Sequence, residues 1–224
     1  MLELLVPLLA AASPGGLDVP LEFLKKGGIF MIPLALTSIV GGMAILYKFL
    51  SLSTGRVVPG RLANDVAQFH QRIVSDKVEP VLKEFENGSS TLARLSSVAV
   101  KLRGKSRDDI TRAVESAARV ETVHLHAGIA VIDVIITIAP LLGLLGTASG
   151  LVTIFQGLGE NSDHLAIARG ISEALTTTIV GLAIAVPCVV AHGYFIRRIE
   201  MHTARLESLL THLSSVLEKP NTGA

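Results

Sequence analysis

Residues 128–156 form a run in which Asp133 is the sole charged side chain. Crossing the hydrocarbon core of a bilayer takes roughly 20 apolar residues in a helix, so the run is long enough to span one. Its small residues recur with helical spacing. Gly143, Thr147, Gly150 and Ile154 follow i, i+4, i+7 and i+11 and share one face. Gly146 and Gly150 add a G-x-x-x-G pair. Lipid tails give helices no hydrophobic reason to associate, so such faces work by letting two backbones pack closely. A second run, residues 169–196, repeats the design with Thr178, Gly181, Ala185 and Cys188 near one face. Two small-faced helices, each led by a threonine, predict a bundle around a narrow path.

Composition agrees. Half the residues are hydrophobic, 17% are charged and Trp is absent, and the mean hydropathy is +0.56. The charges are segregated into wet segments between apolar ones. A net charge of +1 gives no basis for nucleic-acid binding. Cys188 is the one cysteine, so the chain forms no internal disulfide. His124 and His126 sit at a membrane entry and point to different faces, which predicts interfacial polarity and no metal site. No cofactor is expected.

Seven segments follow in order. Residues 1–27 read as an N-terminal interfacial or periplasmic segment: Glu3 and the lack of early Lys or Arg argue against a signal peptide. Residues 28–50 are the first span, with Pro33 in its first turns and Tyr47 and Lys48 at its far end, where Lys48 is expected to snorkel. Residues 51–127 are charged and helical and hold a dozen Lys and Arg. Residues 128–156 are the second span, 157–168 a loop with Glu160 and Asp163 but no Lys or Arg, and 169–196 the third span. Residues 197–224 open on Arg197-Arg198 and read as a helix and a disordered tail. The positive-inside rule then puts the N-terminus in the periplasm and the C-terminus in the cytoplasm.

Within the basic segment, Glu79-Pro80 and Asn87-Gly88 read as breaks, and Ser106 is a helix N-cap with Asp108 and Asp109 in the first turn. The stripe Ile110, Ala113, Val114, Ala117, Val120 and Val123 runs toward the second span with no proline. One unbroken helix entering the membrane is therefore expected. The mixed charges on its other face read as a solvated surface.

Three stretches resemble a known family. Ala139 to Thr147, followed by Gly150, is similar to the second-span signature of the MotA/TolQ/ExbB proton-channel family. Gly170 to Leu175 with Thr178, Gly181, Ala185 and Pro187 is similar to its third-span signature, and Lys25 to Pro33 resembles the entry to its first span. The small cytoplasmic segment places the resemblance in the ExbB/TolQ-like branch.

The resemblance implies an all-α, three-span membrane protein with long second and third helices. It implies a ring-forming homo-oligomer, a pentamer, in the lipid of the bacterial inner membrane. An ExbD/TolR-like single-span dimer would sit inside the ring. Proton flow would then be coupled to mechanical work on a TonB- or TolA-like envelope protein, as in biopolymer import or envelope maintenance. Thr147 and Thr178 match the family's pore-facing threonines, Glu173 its acid near the outer end of the third span, and Pro140 and Pro187 its span prolines. Tyr47-Lys48 stands where the family has an acidic–basic pair, and Asp133 where it has an apolar residue.

Read with the resemblance, Thr147, Thr178, Glu173 and Asp133 are expected to form a proton path, with Pro140, Gly143, Gly146, Gly150, Gly181 and Pro187 setting helix packing and kinks. A threonine hydroxyl holds no net proton at neutral pH, so its role is to order water or to bond a partner's neutral carboxyl group. The competing reading is a hydroxyl returned to its own helix backbone. Glu173 shares a face with Thr177, because five residues put it about 140° round the helix from Thr178. Asp133, Pro140 and Thr147 are spaced by seven and drift only about 20° per step. Asp133 then either rings the cytoplasmic mouth or pairs with Arg197 or Arg198. Alternatives to the proton-driven ring are a non-conducting scaffold and the stator of a motility motor. An enzyme built on Ser149 and His192 is not expected, because Thr147 stands where a nucleophile elbow needs glycine.

Overall fold

The computed structural model describes residues 29–75, 78–156 and 164–218. They form nine α-helices: α1 (Met31–Ser51), α2 (Thr54–Val57), α3 (Gly60–Ala67), α4 (Phe69–Val74), α5 (Glu79–Asn87), α6 (Thr91–Lys101), α7 (Arg107–His126), α8 (Ile129–Gln156) and α9 (His164–Leu217). The expectations for residues 1–27 and for the tail beyond Glu218 lie outside the described residues, as does most of the 157–168 loop. Helix α9 is already formed at His164, five residues before the expected span entry. Three stretches, in α1, α7–α8 and α9, are long and apolar enough to cross a membrane. Among the described residues the regular elements are all helices, which satisfy most of their backbone polar groups internally, as a bilayer requires.

The chain divides into two compact units. The first comprises the described parts of Met1–Ile45 and Val131–Ala191. Helix α8 buries Ile132, Ile135, Ala139, Gly143 and Gly146, and α9 buries Ala174, Thr177, Gly181, Ala185 and Cys188. Both sets are spaced by three or four residues, so each is one helical stripe. The opposite sides expose Leu141, Leu144, Leu145, Val152 and Phe155 on α8, and Ile179, Leu182, Val186 and Val190 on α9. Contiguous apolar exposure of this kind suits lipid or other membrane helices. Helix α1 joins the pair through Gly41, where a Cβ would lie 3.3 Å from Cys188 Sγ and 3.5 Å from Ile135 Cδ1.

The second unit comprises Leu46–Ala130 and the described part of His192–Ala224. Its core includes Leu62, Val66, Phe69, Phe85, Leu92, Leu95, Ile110, Phe195, Ile199 and Leu213, all at most 2% exposed. Helix α5 starts at Glu79 with Pro80 in its first turn and ends at Asn87, with Gly88 as its C-cap, which matches the two breaks read from the sequence. Ser106 Oγ accepts from Asp109 N at 3.2 Å, so Ser106 is the N-cap of α7. The link after α6 is tied to the end of α9 by Gly104 N donating to Leu217 O at 3.3 Å.

Two expectations fail here. The helix from Ser106 does not run unbroken into the second apolar run. Helix α7 stops at His126, α8 starts at Ile129, and Gly128 between them has φ +84°. Glycine adopts that conformation without steric cost, so the break needs no proline. Nor does Lys48 reach for solvent: it is 1% exposed. Its Nζ donates to Leu125 O at 2.5 Å and to Ala127 O at 2.7 Å. The break frees the last carbonyls of α7, and the ammonium supplies the missing donors at the negative end of the helix dipole.

Candidate functional site

The contact between α8 and α9 is made by glycine. A Cβ on Gly143 would lie 2.8 Å from Thr177 O, one on Gly150 2.8 Å from Ala174 Cβ, and one on Gly181 2.5 Å from Ala139 O. A Cβ on Gly146 would meet Thr177 Oγ1 at 2.7 Å. These separations are below van der Waals contact, so the backbones touch because the side chains are missing. Sequence spacing identified all four positions. It did not identify Gly170, whose Cβ would lie 2.7 Å from Ile154 Cγ1, because Ile154 fills that level with a large side chain.

That approach brings three hydroxyls together. Thr147 Oγ1 and Thr178 Oγ1 are 2.5 Å apart. Thr147 also donates to Ala174 O at 2.9 Å and toward Gly143 O at 3.2 Å. Thr178 Oγ1 lies 3.1 Å from Gly143 O, and Thr177 Oγ1 lies 3.0 Å from Gly143 O and 2.7 Å from Ala174 O. Each hydroxyl has one proton and two lone pairs, and each carbonyl has two lone pairs. Each carbonyl already accepts one helical N–H, yet the cluster still offers more acceptor positions than its three hydroxyl protons fill. Thr147 and Thr178 are half-buried, while Thr177 is buried. The backbone reading of a lone threonine thus holds in part, since Gly143 O is one turn behind Thr147. The bonds between helices go beyond it.

Thr177 was noted in the sequence only as a companion of Glu173. Its place in the cluster shows in the run Thr176-Thr177-Thr178, because three successive helical residues cannot all face one way. Thr177 is the one turned to Gly146.

Glu173 is exposed, and among the described residues it forms no ion pair. It lines a cavity of about 280 Å³ with Ser149, Thr153 and Thr177. The shared face of Glu173 and Thr177 is as the helical geometry requires. Asp133 is exposed and also lacks an ion pair among the described residues. Arg197 meets Glu200 at 3.7 Å, and Arg198 bonds Tyr194 Oη and Thr54 Oγ1. Pro140 and Pro187 both lie inside their helices.

Comparison with known proteins follows the same residues. Residues 83–208 match the model of the MotA/TolQ/ExbB proton channel family, more than half of the chain. A protein of Methanothermobacter thermautotrophicus, provisionally named a biopolymer transport protein ExbB homolog, is 30% identical over 188 residues, 84% of this chain and 66% of the relative. The biopolymer transport protein ExbB of Pseudomonas putida is 27% identical over 202 residues, 87% of this chain and 60% of the relative. The Tol-Pal system protein TolQ of Pseudomonas aeruginosa is 30% identical over 114 residues, half of this chain and 49% of the relative. The chain thus spans two thirds or less of these relatives' own lengths.

Proposed function

The chain belongs to the MotA/TolQ/ExbB proton channel family, and from that premise we propose that it is the ring subunit of a proton-driven inner-membrane motor. The ring is a homo-oligomer, a pentamer, around an ExbD/TolR-like single-span dimer, with the N-terminus periplasmic and the C-terminus cytoplasmic. It passes work to a TonB- or TolA-like envelope protein, in biopolymer transport or envelope maintenance. The relatives named for both systems support an energising role of this class.

The observation that carries the reading is the hydroxyl cluster. Thr147 and Thr178 keep one side open and hold spare lone pairs. Such a cluster accepts a proton-bearing group, a water or a neutral carboxyl from the central partner, and answers by turning its own hydroxyls. Charge need never rest on the threonines. Glu173, in the cavity beside Thr177, supplies an ionisable group at that end of the path. An acid in a membrane segment costs about 2.5–3.5 kcal/mol on insertion scales, which favours a functional or paired role.

Asp133 stands about 21 Å from Thr147 along α8 at 1.5 Å per residue. We assign it to the cytoplasmic mouth, where it draws protons off the path. The deciding experiment is proton flux into liposomes holding the chain and its one-span partner. Flux should fall in the Thr147→Val/Thr178→Val variant with assembly intact. It should also fall in Asp133→Asn, more so as internal pH rises. Wild-type flux in the double threonine variant would remove the proton-path role.

A further inference from the structure

A groove of about 590 Å³ lies between α7 and α9, within the second unit. Leu95, Val114, Leu125, Leu206 and Leu210 line it, and none is more than 8% exposed. From Thr111 to Leu125 it runs about 21 Å along α7 at 1.5 Å per residue.

Two hydroxyls in the groove are spare. Ser214 is 2% exposed and forms no hydrogen bond among the described residues. Thr203 Oγ1 is buried with no hydrogen-bond partner. A helical threonine often bonds the carbonyl one turn back, as Thr122 in the same groove does with Ala118 O at 2.9 Å. Thr203, Leu210 and Ser214 follow i, i+7 and i+11 on α9 and share one face. A buried hydroxyl left unpaired is costly, so an occupant that pairs both is favoured.

The rim is acidic on balance. Glu115 and Glu207 are exposed and form no ion pair among the described residues. Glu121 is bonded to Arg94, and Arg119 is the one basic residue among those lining the groove.

These features select the occupant. A packed helix has its backbone groups already paired, and an acyl chain has no polar groups along its length, so neither supplies partners for the two hydroxyls. An extended peptide does, through its free N–H and C=O groups. About six residues at 3.3 Å each fill the length. Successive side chains of such a segment point to opposite sides. Apolar ones turn to the leucine floor while basic ones meet Glu115 and Glu207.

We propose that this groove docks a short, extended, basic segment of a single-span membrane partner, the stretch that flanks the partner's span. Leu125 lies three residues before Gly128, where the second apolar run starts, so one end of the groove is next to the membrane boundary. The choice of partner rests on the proton-motor reading, which puts this end in the cytoplasm. The cytoplasmic flank of a membrane span is rich in Lys and Arg.

The test uses the full chain in nanodiscs of zwitterionic phosphatidylcholine, which do not themselves attract a basic peptide. The probes are two fluorescein-labelled hexapeptides, one of alternating lysine and leucine and one of alternating glutamate and leucine, read by anisotropy. The lysine peptide should bind about tenfold tighter than the glutamate peptide. Thr203→Val with Ser214→Ala should weaken it by about tenfold. Glu115→Gln with Glu207→Gln should weaken it by about threefold and reduce its salt dependence. Both glutamates are exposed, so this second variant decides the matter should the first fail to fold. No binding, equal binding of the two peptides, or binding unmoved by the variants overturns the docking site. A fluorescent fatty acid bound more tightly than the lysine peptide would give the groove to an acyl chain and overturn it too. Proton flux with the one-span partner is read separately. Flux without peptide binding removes the docking site and leaves the motor reading standing. Peptide binding without flux keeps the groove as a basic-peptide site and removes the motor reading.

Discussion

The hydroxyl oxygens of Thr147 and Thr178 lie 2.5 Å apart, although 31 residues separate them in the chain. Neither reaches the other without Gly143, whose missing Cβ lets Thr178 Cα come within 3.0 Å of where that atom would stand. Packing and chemistry are thus one feature here.

The cluster should separate by burial. Thr177→Val removes a buried hydroxyl between two carbonyls and should cost about 1 kcal/mol of stability, the usual worth of a hydrogen bond. Flux per assembled ring should stay near wild type. Thr147→Val and Thr178→Val should do the reverse, with a small stability loss and a clear loss of flux. Thermal melts and flux on the same preparations check the contrast, and identical behaviour of all three would count against a path on the open side.

Glycine substitutions should divide by neighbour. A Cβ at Gly181 would stand 2.5 Å from a backbone oxygen that cannot move aside. Gly181→Ala should therefore cost roughly 1–3 kcal/mol through overpacking. Gly42, with nothing within 4 Å of a Cβ, is the control. Gly42→Ala should be neutral or stabilise by up to about 1 kcal/mol through helix propensity. Gly150→Leu should behave like Gly181→Ala, and melts of the purified oligomers are the readout.

Lys48→Met should expose the cost of the helix break. It leaves the carbonyls of Leu125 and Ala127 without their shared donor. Hydrogen bonds from a charged donor are worth about 1.5–3 kcal/mol, so the loss should fall in that range. Faster amide exchange at the start of α8, with α6 unchanged, would place the effect at the break. Unchanged exchange there would show that the cap is not needed.

Arg94 and Glu121 give an acid limb. Arg94 Nε donates to Glu121 Oε1 at 2.8 Å and Nη2 to Oε2 at 2.5 Å, and the Arg94 hydrogen bond holds the Glu121 carboxyl below the usual range. A lowered carboxylate adds stability above the ordinary glutamate range and loses it as pH falls through its folded value. Arg94 is half exposed, so the effect should be modest, about 0.5 kcal/mol. Arg94→Gln should flatten melting temperature against pH on the acid side, and an unaltered acid limb would discount the pair.

Much of the helix contact was legible because small residues at helical spacing have few other uses in an apolar run. Gly143, Gly146, Gly150 and Gly181 could be assigned without coordinates. The break at Gly128 could not, since a lone glycine at the edge of an apolar run reads equally as membrane entry. Lys48 was hidden for the same reason: its partners are main-chain carbonyls, and nothing in the order of side chains marks which ones a break will free. Residue 173 was readable by angle alone, whereas the hydroxyl count around Gly143 O required both helices in place.

Cys188 is 3% exposed, and its sulfur would stand 3.3 Å from a Cβ on Gly41. The native chain therefore carries a silent thiol under the first helix. Introduced cysteines can be read by maleimide against an unreactive background, with no need to strip the natural one. The same thiol also becomes a witness: reagent reaches Cys188 only when α1 lifts away from α9, so its labelling rate clocks that separation in the unmodified protein.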